Sequence, residues 1–115
     1  MAGIDYLILG GTVIDGTGAP GVRADVAITD GRISAVGDLS DQANDAAEVL
    51  DASGQIVCPG FVDPHTHYDA QLFWDPYCTP SNLHGVTSVV MGNCGFTLAP
   101  LSSEADADYI RRMMV

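Results

Sequence analysis

Lysine is absent from this sequence. Its permanent cations are Arg23, Arg32, Arg111 and Arg112, set against 15 acidic residues for a formal net charge of −11. That balance rules out most nucleic-acid binding, because neutralising phosphates needs clustered Lys and Arg. Docking on an anionic membrane is disfavoured for the same reason. The acidity reads as a solvated surface rather than as steering for a cationic substrate. Cysteine is scarce and odd in number: Cys58, Cys78 and Cys94 lie 20 and 16 residues apart. With no C-x-x-C pair among them, they argue against a disulfide framework or a zinc ribbon, and free thiols point to a reducing compartment. No apolar run approaches the roughly 18 residues of a membrane helix. The stretch from Ile4 to Ile14 is broken by Asp5, Gly10 and Gly11, follows no basic residue and leads to no small-residue cleavage site, so it does not read as a signal peptide. A cytoplasmic location is expected. What is present, 47% apolar and 17% charged residues over 115 positions, is the composition of a globular domain with a modest core.

The first sixty residues read as short strands separated by turns: Tyr6 to Leu9, Thr12 to Ile14, Asp25 to Thr29, Ile33 to Val36 and Ile56 to Cys58. Asp30-Gly31 sits between two of them and suits the positive φ angles of a tight hairpin, so a small antiparallel sheet is expected. Leu39 to Glu48, rich in Asp, Ala, Ser and Asn, reads as an exposed loop or edge. Gly10-Gly11 reads as a backbone turn. Gly16-Thr-Gly-Ala-Pro-Gly21 matches G-x-G-x-x-G by letter, but Pro20 and the strand-like residues after it leave no helix to hold a pyrophosphate; it is a turn between strands.

At Pro59-Gly60 the character changes. Phe61 to His67 and Val86 to Met91 are strand-like runs that each lead into polar residues. Pro64, Pro76 and Pro80 exclude a long crossover helix between them. Thr79-Pro80 suits an N-cap followed by Pro at the first helical position, and Gly85 a stop, so a single short helix is expected there. A further helix is expected from Ser103, where Ser103-x-x-Asp106 approximates a capping box and Ile110, Met113 and Met114 share a face.

Three features carry chemistry. On an extended strand His65 and His67 project the same way with Thr66 opposite, and two neutral imidazoles on one side form a divalent-metal chelate. The alternative is two half-exposed histidines near a turn. Asp63 shares their parity and suits either a hydrogen bond to a histidine's second nitrogen or a brace at the strand end. Cys94, in Met91-Gly-Asn-Cys-Gly95, is flanked by small residues that let a thiolate approach a metal. Taken alone it reads first as a packed thiol in a tight turn, and last as a nucleophile paired with His84, which nothing orients toward it. Phe73, Trp74 and Tyr77 are expected to pack or to cover a cleft mouth, and Asp69 and Asp75 to be loop carboxylates.

Pro59-Gly-Phe-Val-Asp-Pro-His-Thr-His67 resembles the amidohydrolase superfamily, whose first barrel strand ends in a His-x-His metal pair. Asp5 to Asp15, Asp30-Gly-Arg-Ile33 and Leu50-Asp-Ala-Ser-Gly54 look like that family's N-terminal β-sandwich strands. Gly85 to Pro100 is similar to the N-acyl-D-amino-acid deacylase branch, in which the cysteine after the second strand is a zinc ligand. The resemblance runs to about Leu101. It implies a mixed β and α/β fold: residues 1–58 as a small β-sandwich portion, and residues 59–115 as the first two strands of a metal-dependent (β/α)8 barrel. Such a barrel takes roughly 200 residues or more, so it is incomplete in this chain. The resemblance further implies Zn2+ held by His65, His67 and Cys94, with Asp63 supporting a ligand. The metal would lower the pKa of a bound water and polarise a scissile carbonyl, and the proton-shuttling aspartate is expected beyond Val115. The implied substrate is a small N-acylated amino acid, with the piece on its own expected to be inactive. A cyclic-amide hydrolase of the hydantoinase or dihydroorotase kind is the alternative, against which Cys94 argues because those enzymes use a carboxylated lysine. A non-catalytic fragment or interaction protein is the other.

Overall fold

Ile4 to Val13 form one long strand, β1, on which the first part of the molecule is built. The computed structural model describes residues 3–94 and 102–113. These fall into two compact units, Met1–Pro59 and Gly60–Val115. The sequence divides β1 into two strands with a turn at Gly10-Gly11. In the structure the strand continues through a bulge between Ile8 and Gly11. Gly10 takes φ +73°, which a residue without Cβ adopts without strain, and the irregularity is absorbed inside the strand.

β2 (Val22–Thr29) runs antiparallel to β1, and β3 (Arg32–Gly37) antiparallel to β2. Asp30 and Gly31 join β2 to β3 with φ of +52° and +70°, the two positive angles the hairpin requires. Gly16 to Gly21 is the loop between β1 and β2 and carries no helix, as its proline implies.

The antiparallel expectation fails on the other side of β1. There β4 (Ala46–Asp51) and β5 (Ile56–Val57) both pair with β1 in parallel, which makes a mixed five-stranded sheet. Parallel pairing needs a crossover, and Asp38 to Asp45 supplies it, with a 3-10 helix over Ser40–Asp45. Leu39, at the head of that connection, is buried and joins Leu7 and Ala27 in the core, with Ala43 and Ala46 partly buried against them. The expectation of an exposed segment is therefore corrected at Leu39 and holds for β4, whose residues from Ala47 onward are exposed.

In the second unit β6 (Phe61–Asp63) and β7 (Val86–Val89) form a two-stranded parallel sheet. The strands approach closely at Gly60, where a Cβ would stand 2.2 Å from the Thr87 side chain. A short helix absent from the sequence reading, α1 (Tyr68–Gln71), follows β6. The helix expected after Thr79 is a 3-10 turn over Ser81–His84, with Pro80 rather than Thr79 in the capping position. Gly85 stops it in the left-handed conformation, φ +81°. α2 (Glu104–Met113) begins where Ser103 leads, and Ser103 Oγ accepts from the Asp106 N–H at 3.3 Å. The shared face expected of Ile110, Met113 and Met114 lies outside the described side chains. No helix among the described residues is long and apolar enough to cross a membrane.

Candidate metal centre

The two parallel strands end level with each other, Asp63 opposite Val89, and the site residues follow both ends. The sequence places His65 and His67 on the strand itself. The ladder in fact stops at Asp63, because Pro64 has no N–H to give it. Alternation nevertheless survives past the strand. Thr66 is buried at 6% exposure and donates its hydroxyl to the Val90 carbonyl at 2.9 Å, whereas His65 and His67 are exposed. The two imidazole centroids lie 6.0 Å apart with their planes tilted by 37°. Asp63 Oδ1 accepts from the His65 backbone N–H at 3.1 Å, which braces the bend that turns the first histidine outward.

β7 also ends earlier than its sequence suggests, at Val89 rather than Met91. Four bonds then tie the segment after it to the end of β6 and the segment that follows. The Val90 N–H donates to the Asp63 carbonyl at 2.8 Å, and Thr66 returns a bond to the Val90 carbonyl. The Gly92 N–H donates to Asp69 Oδ2 at 3.3 Å, and Asn93 Nδ2 donates to the Pro64 carbonyl at 2.5 Å. Gly92 takes φ +80°, which reverses the chain at that point.

Held in this way, Cys94 comes to the histidine pair. One ligand atom from each of His65, His67 and Cys94 lies within 4.8 Å of the others. Zinc bonds to imidazole nitrogen and thiolate sulfur are about 2.0–2.3 Å long, so a small side-chain rotation suffices for all three to reach one ion. Two imidazoles and a thiol are donors suited to zinc.

Other sequence candidates lie elsewhere. His84 precedes β7 while Cys94 follows it, and the intervening strand is roughly 13 Å long at about 3.3 Å per residue, so the paired nucleophile has no geometric basis. Asp75 accepts from Gln71 Nε2 at 3.0 Å, from the Tyr77 N–H at 3.2 Å and from the Thr79 N–H and hydroxyl. These bonds, the Thr79 hydroxyl first and the Gln71 amide next, hold its carboxyl below the usual range. Its work is to close the loop after α1. Phe73, Trp74 and Tyr77 are all exposed, so none packs in a core of its own unit. The hydrogen bonds made by Thr66, Asn93 and Asp69 carry no signal in the sequence pattern. Asn93 stands beside Cys94 in a motif read only for its glycines and its sulfur.

Two parallel strands thus bring imidazole and thiol groups together past their carboxyl ends. The chain belongs to the amidohydrolase family, whose model matches residues 48–114 and so spans all three donors. It is 52% identical over 98 residues to the D-aminoacylase of Alcaligenes xylosoxydans xylosoxydans, covering 85% of this chain and 20% of that protein. A crystal structure of D-aminoacylase, described as defining a novel subset of amidohydrolases, matches with a TM-score of 0.79 and 49% identity over 93% of this chain and 23% of its own. The N-acyl-D-glutamate deacylase of Bordetella bronchiseptica was solved with zinc and a phosphonate mimic of the tetrahedral intermediate. It matches with a TM-score of 0.70 and 46% identity over 86% of this chain and 21% of its own. The chain spans about a fifth of the length of the curated relatives it matches.

Proposed function

We propose that this chain carries zinc-binding residues of an amide hydrolase that releases a carboxylic acid and a free D-amino acid from an N-acylated precursor. The observation that carries this reading is the meeting of His65, His67 and Cys94 within 4.8 Å past the ends of two parallel strands. Held there, zinc would supply Lewis-acid chemistry for hydrolysis of the amide. His65 and His67 would hold the ion through ring nitrogens and Cys94 through its sulfur. Asp63 orients the His65 backbone. Asp63 and Asp69 each accept from a backbone N–H group, and no proton-transfer role is assigned among the described residues.

The same reading makes residues 59–115 the start of a (β/α)8 barrel, in which sites form beyond the carboxyl ends of the strands, and residues 1–58 a β-sandwich portion. The parallel pairing of β6 with β7 across a helical connection supports the first assignment. Similarity to D-aminoacylase and N-acyl-D-glutamate deacylase supports the substrate class. Three unpaired thiols support a reducing, cytoplasmic setting. A thiol among the donors, where cyclic-amide hydrolases rely on a carboxylated lysine, disfavours that alternative.

Metal analysis of single cysteine variants tests the proposal. Cys94→Ser is expected to lose most of the bound zinc, and its cobalt-loaded form to lose the thiolate-to-metal charge-transfer band. Cys58→Ser and Cys78→Ser are expected to keep both. Full zinc content and an intact band in Cys94→Ser would reduce the cysteine to a turn residue and return the chain to an unspecified amidohydrolase.

A further inference from the structure

We propose that Asn93 is a positioning residue for Cys94, through the hydrogen bond from its carboxamide to the Pro64 carbonyl. The inference rests on the reading of His65, His67 and Cys94 as zinc ligands. Pro64 directly precedes His65, and Asn93 directly precedes Cys94. One bond of 2.5 Å therefore joins the two residues that adjoin ligands following separate strands. The other ties act further back. Thr66 and Asp63 hold Val90, four residues before the cysteine, and Asp69 holds Gly92 across a longer 3.3 Å contact.

The segment has little stiffness of its own. Gly92 sits in the left-handed region and Gly95 follows the cysteine, so neither adds a side chain that would restrain the thiol. The Pro64 carbonyl lies just past the end of the β6 ladder, which leaves it available to a side-chain donor. A carboxamide at 93 meets that acceptor and fixes the backbone from which Cys94 projects. Its removal leaves the histidine chelate and both strands intact while the thiol drifts from the shared ligand position.

The test is zinc affinity and the cobalt spectrum of the chain, with far-ultraviolet dichroism as the fold control. Asn93→Ala is expected to weaken zinc binding about tenfold or more, as the loss of groups that orient ligands commonly does. It is also expected to reduce the thiolate-to-cobalt band while leaving the dichroism unchanged. Asn93→Leu, which keeps the bulk of the side chain, should show the same loss should the alanine variant fail to fold. Asn93→Gln, which keeps an amide donor, should retain more of the band than either. Asn82→Ala, on the exposed 3-10 turn, should change nothing. A wild-type chain without the thiolate band would overturn the ligand reading and this inference together. A wild-type chain with the band, and Asn93 variants indistinguishable from it, would overturn this inference alone.

Discussion

Asp25 shows what a single residue does that its place in the sequence conceals. It reads there as the first position of a strand, yet its carboxylate is buried at 8% exposure. Oδ1 accepts from the Gly10 N–H at 2.8 Å and Oδ2 from the Leu39 N–H at 2.9 Å. One side chain thus satisfies the bulge of β1 and the head of the crossover. These two bonds, Gly10 first, with a smaller contribution from Arg23, hold its carboxyl below the ordinary 3.8. The native form therefore prefers the ionised group, so the stabilisation is present above about pH 4 and is lost as pH falls through the depressed native value. Asp25→Asn turns an amide N–H2 toward one of the two donors and is expected to cost about 2 kcal/mol at pH 7. Urea unfolding of both proteins at pH 7 and pH 3 checks this, with the difference shrinking at the lower pH. An undiminished difference at pH 3 would show that shape rather than charge holds the residue in place.

Among the elements, those governed by near neighbours in the chain are the ones most legible beforehand. The hairpin at Asp30-Gly31, the stop at Gly85 and the Ser103–Asp106 cap of α2 all rest on residues at most four positions apart. Elements whose form depends on a distant partner, such as the single bulged β1, are less legible. Gly60 belongs to this second kind, since its need for a missing Cβ comes from Thr87 on the opposite strand. Gly60→Ala would force the two strands apart and is expected to destabilise the second unit by about 1–3 kcal/mol, the usual cost of overpacking. Thermal unfolding measures this. Adding Thr87→Gly to the alanine variant should recover much of the loss, and a purely additive pair would show that the close approach is not the cause.

For the whole molecule, apolar burial is uneven. Leu7, Val26, Ala27, Leu39 and Ala52 are buried in the first unit, whereas Tyr68 is the buried apolar residue of the second among those described. Phe61 and Val62 on β6 are more than 60% exposed, and a lone two-stranded sheet is marginal in water. Hydrogen exchange is therefore expected to be slowest at Leu7, Val26 and Ala27 and clearly faster across β6 and β7. Equal protection in the two units would mean that the second is held by contacts stronger than its burial implies. The candidate site shows the same division. The histidine pair was legible because two residues at i and i+2 keep their common side even past the strand end, and Thr66 occupies the opposite side as expected. The arrival of Cys94 depends on bonds such as that from Asn93 to Pro64, 29 positions apart, which no local pattern announces.

The sequence by itself determined the turns, the helix caps and the common side of the two histidines, because each follows from backbone angles or alternation over a few adjacent residues. It also set the net charge of −11. Only the tertiary structure decided that β4 and β5 run parallel to β1, that Leu39 is core, that Asp25 is a buried acceptor, and that Cys94 meets His65 and His67. Those outcomes depend on closing loops of many residues. Which distant donor, acceptor or side chain fills the space is set by packing and by the need to satisfy buried N–H and C=O groups.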